Sequence, residues 1–113
     1  MTDWKQGLAI ISDEADDSFA KAVEICLPLG IRAYEIRKLD DRRFPNVTDE
    51  AIQQVTETVN THDLKLIGVS PGFFKDIIDH PSTTETFQTG FPEAFRLMDK
   101  LNVRRMTVFT FKR

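Results

Sequence analysis

The chain has 113 residues, 41% of them hydrophobic and 29% charged, with a formal net charge of −3. That is the length of one domain, too apolar for disorder and able to bury roughly two-thirds of its unfolded surface. The acidic balance argues against nucleic acid as a partner, and the single Cys26 excludes an internal disulfide.

No basic stretch precedes an apolar run at the amino terminus, and no apolar run reaches the ~18 residues of a membrane span. A cytoplasmic protein with no membrane partner is therefore expected. In chain order, Leu8-Ala9-Ile10-Ile11-Ser12 is nearly continuous in apolar character, the pattern of a strand covered on both faces. Asp16-Asp17-Ser18 supplies helix-starting chemistry. Phe19, Ala22, Val23 and Cys26 recur at helical spacing, and Pro28 and Gly30 end that helix. Ile31 to Arg37 reads as the second strand, followed by a polar loop from Lys38 to Val47. Thr48 caps a second helix with Asp49 and Glu50 in its first turn and Ile52, Val55 and Val59 on one face. Leu64 to Ser70 is the third strand, closed by Pro71-Gly72. Phe73 to Gly90 carries no clear period. Pro92 suits a first helical position, with Phe91, Ala94, Phe95, Met98 and Leu101 as the apolar stripe and Asn102 as the stop. Val103 to Phe111 alternates and reads as a fourth strand.

The order β-α-β-α-β-α-β predicts a parallel α/β sheet with right-handed crossovers. A small doubly wound sheet and the first half of a (β/α)8 barrel both fit. Phe111-Lys112-Arg113 stops where a covering helix would follow, so residues 1–113 are expected to be the amino-terminal half of a barrel, truncated after its fourth strand. A barrel requires the spatial order 1-2-3-4. A doubly wound sheet places the first strand between the second and third.

Four strand-end motifs are in register with a known family. Ser12-Asp13-Glu14, Tyr34-Glu35-Ile36-Arg37, Ser70-Pro71-Gly72-Phe73-Phe74-Lys75 and Val108-Phe109-Thr110-Phe111 resemble the amino-terminal half of the xylose isomerase-like barrels, in their sugar phosphate isomerase/epimerase branch. The resemblance implies a (β/α)8 TIM barrel with its active site at the carboxyl ends of the strands. It also implies a divalent metal ion that assists proton or hydride transfer on a sugar or sugar phosphate. The metal's ligands are expected on later strands, outside this chain, so no metal ligand is assigned here and the isolated chain is expected to be inactive. Related zinc endonucleases place histidines after the third and fourth strands, where this sequence has Ser70 and Thr110.

The substrate-binding candidates are Glu14, Glu35, Arg37 and Lys75; no catalytic residue is assigned. Glu35 and Arg37 are two apart on a strand and share a side, facing the barrel interior if Tyr34 and Ile36 face the helices. There they could bind hydroxyls or phosphate, or form a structural ion pair. Asp13 and Glu14 suit a polyol, or helix-start electrostatics together with Asp16 and Asp17. Lys75 could meet a phosphate or lie in solvent. Arg42-Arg43 and Lys112-Arg113 read mainly as solvated charge. His62 falls on the stability face, His80 reads as structural, Cys26 as core and Trp4 as a terminal packing residue. No nucleophile-base pair is expected. Two non-enzymatic readings stay open: a half-barrel interaction module that self-associates edge to edge, and a small flavodoxin-like binding domain.

Overall fold

The computed structural model describes residues 7–113; Trp4 lies outside them. The first strand, β1 (Ala9–Ile11), runs into a 3-10 turn at Ser12–Glu14. Helix α1 (Phe19–Cys26) starts at Ser18, whose side chain accepts the Lys21 N–H, and its four buried residues are Phe19, Ala22, Val23 and Cys26. Leu27–Leu29, with Pro28 inside it, tightens to a 3-10 turn that ends on Gly30 at φ 83°, a left-handed position favouring glycine.

Strand β2 (Ala33–Ile36) pairs in parallel with β1, Ile10 opposite Tyr34 and Ile11 opposite Glu35. Tyr34 and Ile36 are buried beneath the helices, while Glu35 is half-buried on the other face. The expected polar loop instead contains a hairpin of β3 (Lys38–Leu39) and β4 (Arg42–Arg43). Its two-residue turn has Asp40 and Asp41 both at positive φ, 52° and 63°, the condition a mirror-image hairpin turn imposes. Aspartate tolerates that region better than most residues, so the hairpin forms without glycine.

Helix α2 (Asp49–His62) is capped by Thr48, whose hydroxyl accepts the Ala51 N–H at 3.1 Å. Strand β5 (Lys65–Val69) pairs in parallel with β2 on the side away from β1, with Ile67 as a bulge that sets Gly68 opposite Glu35. The sheet order is therefore β1-β2-β5, with the first strand at the edge rather than between the other two.

Two expectations fail beyond β5, the burial of Phe95 and the fourth strand. In the stretch without a clear period, Phe73 to Gly90, α3 (Pro81–Glu85) continues through a π-helical turn, Thr86–Gly90, into α4 (Phe91–Leu101). The Phe91 N–H donates to the Thr86 carbonyl, five residues back, just before Pro92, which has no N–H to give. The buried face of α4 is Ala94, Leu97, Met98 and Leu101. Phe95 is 53% exposed, stacked on Phe91 with ring centroids 5.8 Å apart, because Leu97 takes the place assigned to it.

The fourth strand shrinks to one parallel bridge, Met106 opposite Val69. Val69 N–H donates to Arg105 O at 3.0 Å and Thr107 N–H to Val69 O at 2.9 Å. Beyond that the amides of Phe109 and Phe111 bond to the carbonyls of Phe73 and Phe74, and Phe111 adopts φ 68°. The alternation is real, but the loop after β5, not a strand, supplies the partners.

The core joins Phe19, Val23, Tyr34, Ile36, Val55 and Leu97, among others, between one sheet face and helices α1, α2 and α4. Phe19 and Tyr34 meet edge to face at 5.6 Å. Cys26 is buried within this core, which pushes its thiol pKa up. Among the described residues no helix is long and apolar enough to cross a membrane.

Candidate functional site

The parallel strands deliver their carboxyl ends to one side, and the charged candidates separate into two groups there. The first is built on Arg37, immediately after β2. Its Nη2 donates to Asp13 Oδ2 at 2.6 Å, its Nε lies 3.2 Å from each Asp13 oxygen, and Nη2 also reaches Glu14 Oε1 at 3.2 Å. Asp13 further accepts the Lys38 N–H at 3.2 Å. The 3-10 turn at the end of β1 is what aims both acids at the guanidinium. The Asp13 hydrogen bond, chiefly, raises the Arg37 pKa. Asp13 and Glu14 are thus not merely helix-start charges: they neutralise the end of the neighbouring strand.

Glu35 does not pair with Arg37. It makes no hydrogen bond or ion pair among the described residues and is left on the sheet face opposite the helices. The structure therefore joins Glu14 to Arg37 and leaves Glu35, two residues earlier in β2, outside the cluster.

Arg43, given little weight by its sequence context, belongs to this end of the molecule. The hairpin carries it to the end of β5, where its Nε donates to Ser70 O at 2.9 Å. Its guanidinium packs so closely on Gly72 that a Cβ there would lie 3.1 Å from Cζ and Nη2. Burial, and then the charge of Arg37, lower the Arg43 pKa, opposed by Asp13. The signal that could have found it is the Asp40-Asp41 turn, which fixes the register of Arg43.

Lys75 lies elsewhere. With Phe73, Phe74, Thr86, Gly90 and Arg96 it lines a cleft of about 670 Å3 between the segment after β5 and the helix that follows. Its Nζ sits 5.4 Å from the centre of the Phe109 ring, a cation–π distance. Arg96 is held across two Glu93 oxygens and reaches Asp49 at the start of α2; these contacts raise its pKa, and Arg96 lowers that of Glu93.

His80 stands at the start of α3 with Asp76 and Ser82, a trio resembling nucleophile chemistry. Its Nδ1 accepts the Ser82 N–H at 3.1 Å, meets Ser82 Oγ at 2.8 Å and lies 3.8 Å from Asp76 Oδ2. All three contacts converge on one nitrogen, whereas a triad needs base and orienter on opposite nitrogens. The ring is a helix cap, as its structural reading requires. His62 ends α2, and its carbonyl accepts Arg32 Nη1 at 2.9 Å.

The strand-end acids do not fit a divalent cation. Both Asp13 oxygens face donors, and among the described residues no three His, Cys, Asp or Glu side chains are grouped to hold a metal. What the arrangement offers is hydrogen bonding to a polar ligand: carboxylates for hydroxyls and guanidinium edges for oxyanions.

No protein-family model matches the chain, and no curated protein matches it. Among solved structures it is similar to protein SMc04130 from Sinorhizobium meliloti 1021, with a TM-score of 0.63 and 22% sequence identity. The likeness covers 92% of this chain but 36% of that one, and at this identity it speaks for the α/β fold alone.

Proposed function

We propose that the chain forms the first β/α units of a xylose isomerase-like (β/α)8 barrel and supplies part of the pocket wall of a sugar or sugar phosphate isomerase/epimerase. The observation that carries this reading is the Asp13–Arg37–Glu14 cluster at the carboxyl ends of adjacent parallel strands, where barrels and open α/β sheets bind ligands. Consecutive strands lie side by side, and Met106 adds to the β5 edge in the position a fourth barrel strand takes. The correspondence with just over a third of a longer chain agrees with a segment of a larger fold.

In this reading Glu14 and Glu35 accept hydrogen bonds from sugar hydroxyls. Arg37, held rigid by Asp13, donates its remaining Nη1 edge to a carbonyl or ring oxygen. Asp13 is a positioning residue. The divalent metal of this reaction class has its ligands outside these residues, so the chain binds without turning over.

The test is an NMR titration of the 113-residue chain with D-fructose and D-xylulose. Amide shifts confined to residues 12–14 and 35–37, weak and reduced severalfold in Arg37→Gln, are expected. Shifts confined to the Phe73–Phe74 cleft, or metal-dependent ketose turnover by the chain, would overturn the reading.

A further inference from the structure

We infer that Arg43 is an oxyanion-binding residue, seated to take the phosphate or carboxylate of a small polar ligand at the carboxyl ends of β2 and β5. The inference rests on the ligand site proposed above and assigns that ligand a charged group.

Arg43 is half-buried, and among the described residues it has no carboxylate partner. Its one side-chain hydrogen bond there uses Nε, on the Ser70 carbonyl. An arginine anchored through Nε keeps its Nη1/Nη2 edge, the two-pronged end that matches two oxygens of one phosphate or carboxylate. The anchor is stiff on both sides: the β3–β4 hairpin fixes the backbone, and Gly72, at φ 77°, lets the guanidinium lie flat against the loop.

The charges nearby sharpen the case. Arg37 is close enough for its charge to be felt at Arg43, yet Arg37 is already balanced by Asp13 and Glu14. Arg43, by contrast, has no ion pair among the described residues. A cation partly withdrawn from water and lacking a counter-charge is unfavourable until an anion arrives. Binding an oxyanion removes that penalty, whereas a neutral sugar does not.

The probe is inorganic phosphate, followed by amide shifts in the 113-residue chain, with fructose 6-phosphate, gluconate and fructose compared. Phosphate is expected to shift Arg43, Ser70 and Gly72, with affinity falling as salt rises. Arg43→Gln should weaken binding about tenfold or more, the scale of one charge-assisted pair. Arg43→Lys, which keeps the charge without the fork, should weaken it severalfold and preserves the test if the glutamine variant is unstable. Arg42→Gln, changing the exposed neighbour, should bind as the parent does. Preference for fructose 6-phosphate over gluconate names a phosphate ester, and the reverse a sugar acid. Equal binding of fructose and fructose 6-phosphate overturns the inference while leaving the polyol reading standing. Phosphate shifts that persist unchanged in both Arg43 variants overturn it as well.

Discussion

Removing Arg37 should cost more than removing its partner Asp13, and the asymmetry can be worked from burial. The Asp13 side chain is 6% exposed and that of Arg37 30%. Arg37→Ala leaves a nearly buried carboxylate with only the Lys38 N–H at 3.2 Å. An uncompensated charge so placed costs roughly 2–3 kcal/mol, short of the fully buried limit. Asp13→Ala leaves a more exposed guanidinium that still has Glu14, a loss of about 1 kcal/mol. A double-mutant cycle in urea should then give a coupling of about 1–2 kcal/mol, with the double variant equal to Arg37→Ala or up to about 1 kcal/mol more stable. A coupling under about 0.5 kcal/mol, or a larger loss in Asp13→Ala, would refute the argument and return the pair to the solvated surface.

Tyr34 is the chain's single tyrosine, so its ionisation can be followed by near-ultraviolet absorbance without assignment. Burial, then the neighbouring Cys26, push its pKa from 10 up to about 12. The folded state therefore favours the protonated form: the stabilisation is complete below pH 10 and lost between pH 10 and 12, at about 1.4 kcal/mol per unit. Tyr34→Phe should flatten that part of the stability profile; a gradual titration near pH 10 with circular dichroism unchanged would contradict it. Gly68→Ala should cost about 1–2 kcal/mol, because its Cβ would sit 3.1 Å from the Arg105 carbonyl and push Met106 off the sheet. Loss of slow exchange at the Thr107 amide reads that displacement; unchanged exchange would mean the bridge is not held by close approach at Gly68.

Much of the fold is written locally. Ser18, Thr48 and Asn102 announce helix ends through chemistry within three residues, and the apolar spacing of α1 needs no tertiary knowledge. The alternation around Tyr34 and Ile36 likewise predicts which face of β2 is buried. What escaped depends on distant partners. Val103 to Phe111 has a strand's pattern, but a strand exists only where another offers a ladder, and the amides of Phe109 and Phe111 went to loop carbonyls instead. Leu97 displaced Phe95 because three-dimensional packing selected one of two adjacent apolar stripes. At the site, the partner of Arg37 lies 24 positions back and that of Arg43 lies 27 ahead. No local pattern encodes either pairing.

The hairpin has a consequence for how this chain tolerates changes of length. Its tip is tied to the first unit through the Asp40 N–H on Asp17 O, and its base to the second through the Phe44 N–H on Arg37 O. Arg43 ties it to the third through Ser70. Three successive loops at the carboxyl ends of the strands are thereby clasped by residues 38–44, so one added residue at the tip would disturb all three. The turns at the opposite end, around Gly30 and Asp63, close on their own helices through bonds to Leu27 and Val59. Insertions, tags and grafted segments belong at that end, which can vary in length while the clasped side keeps its geometry.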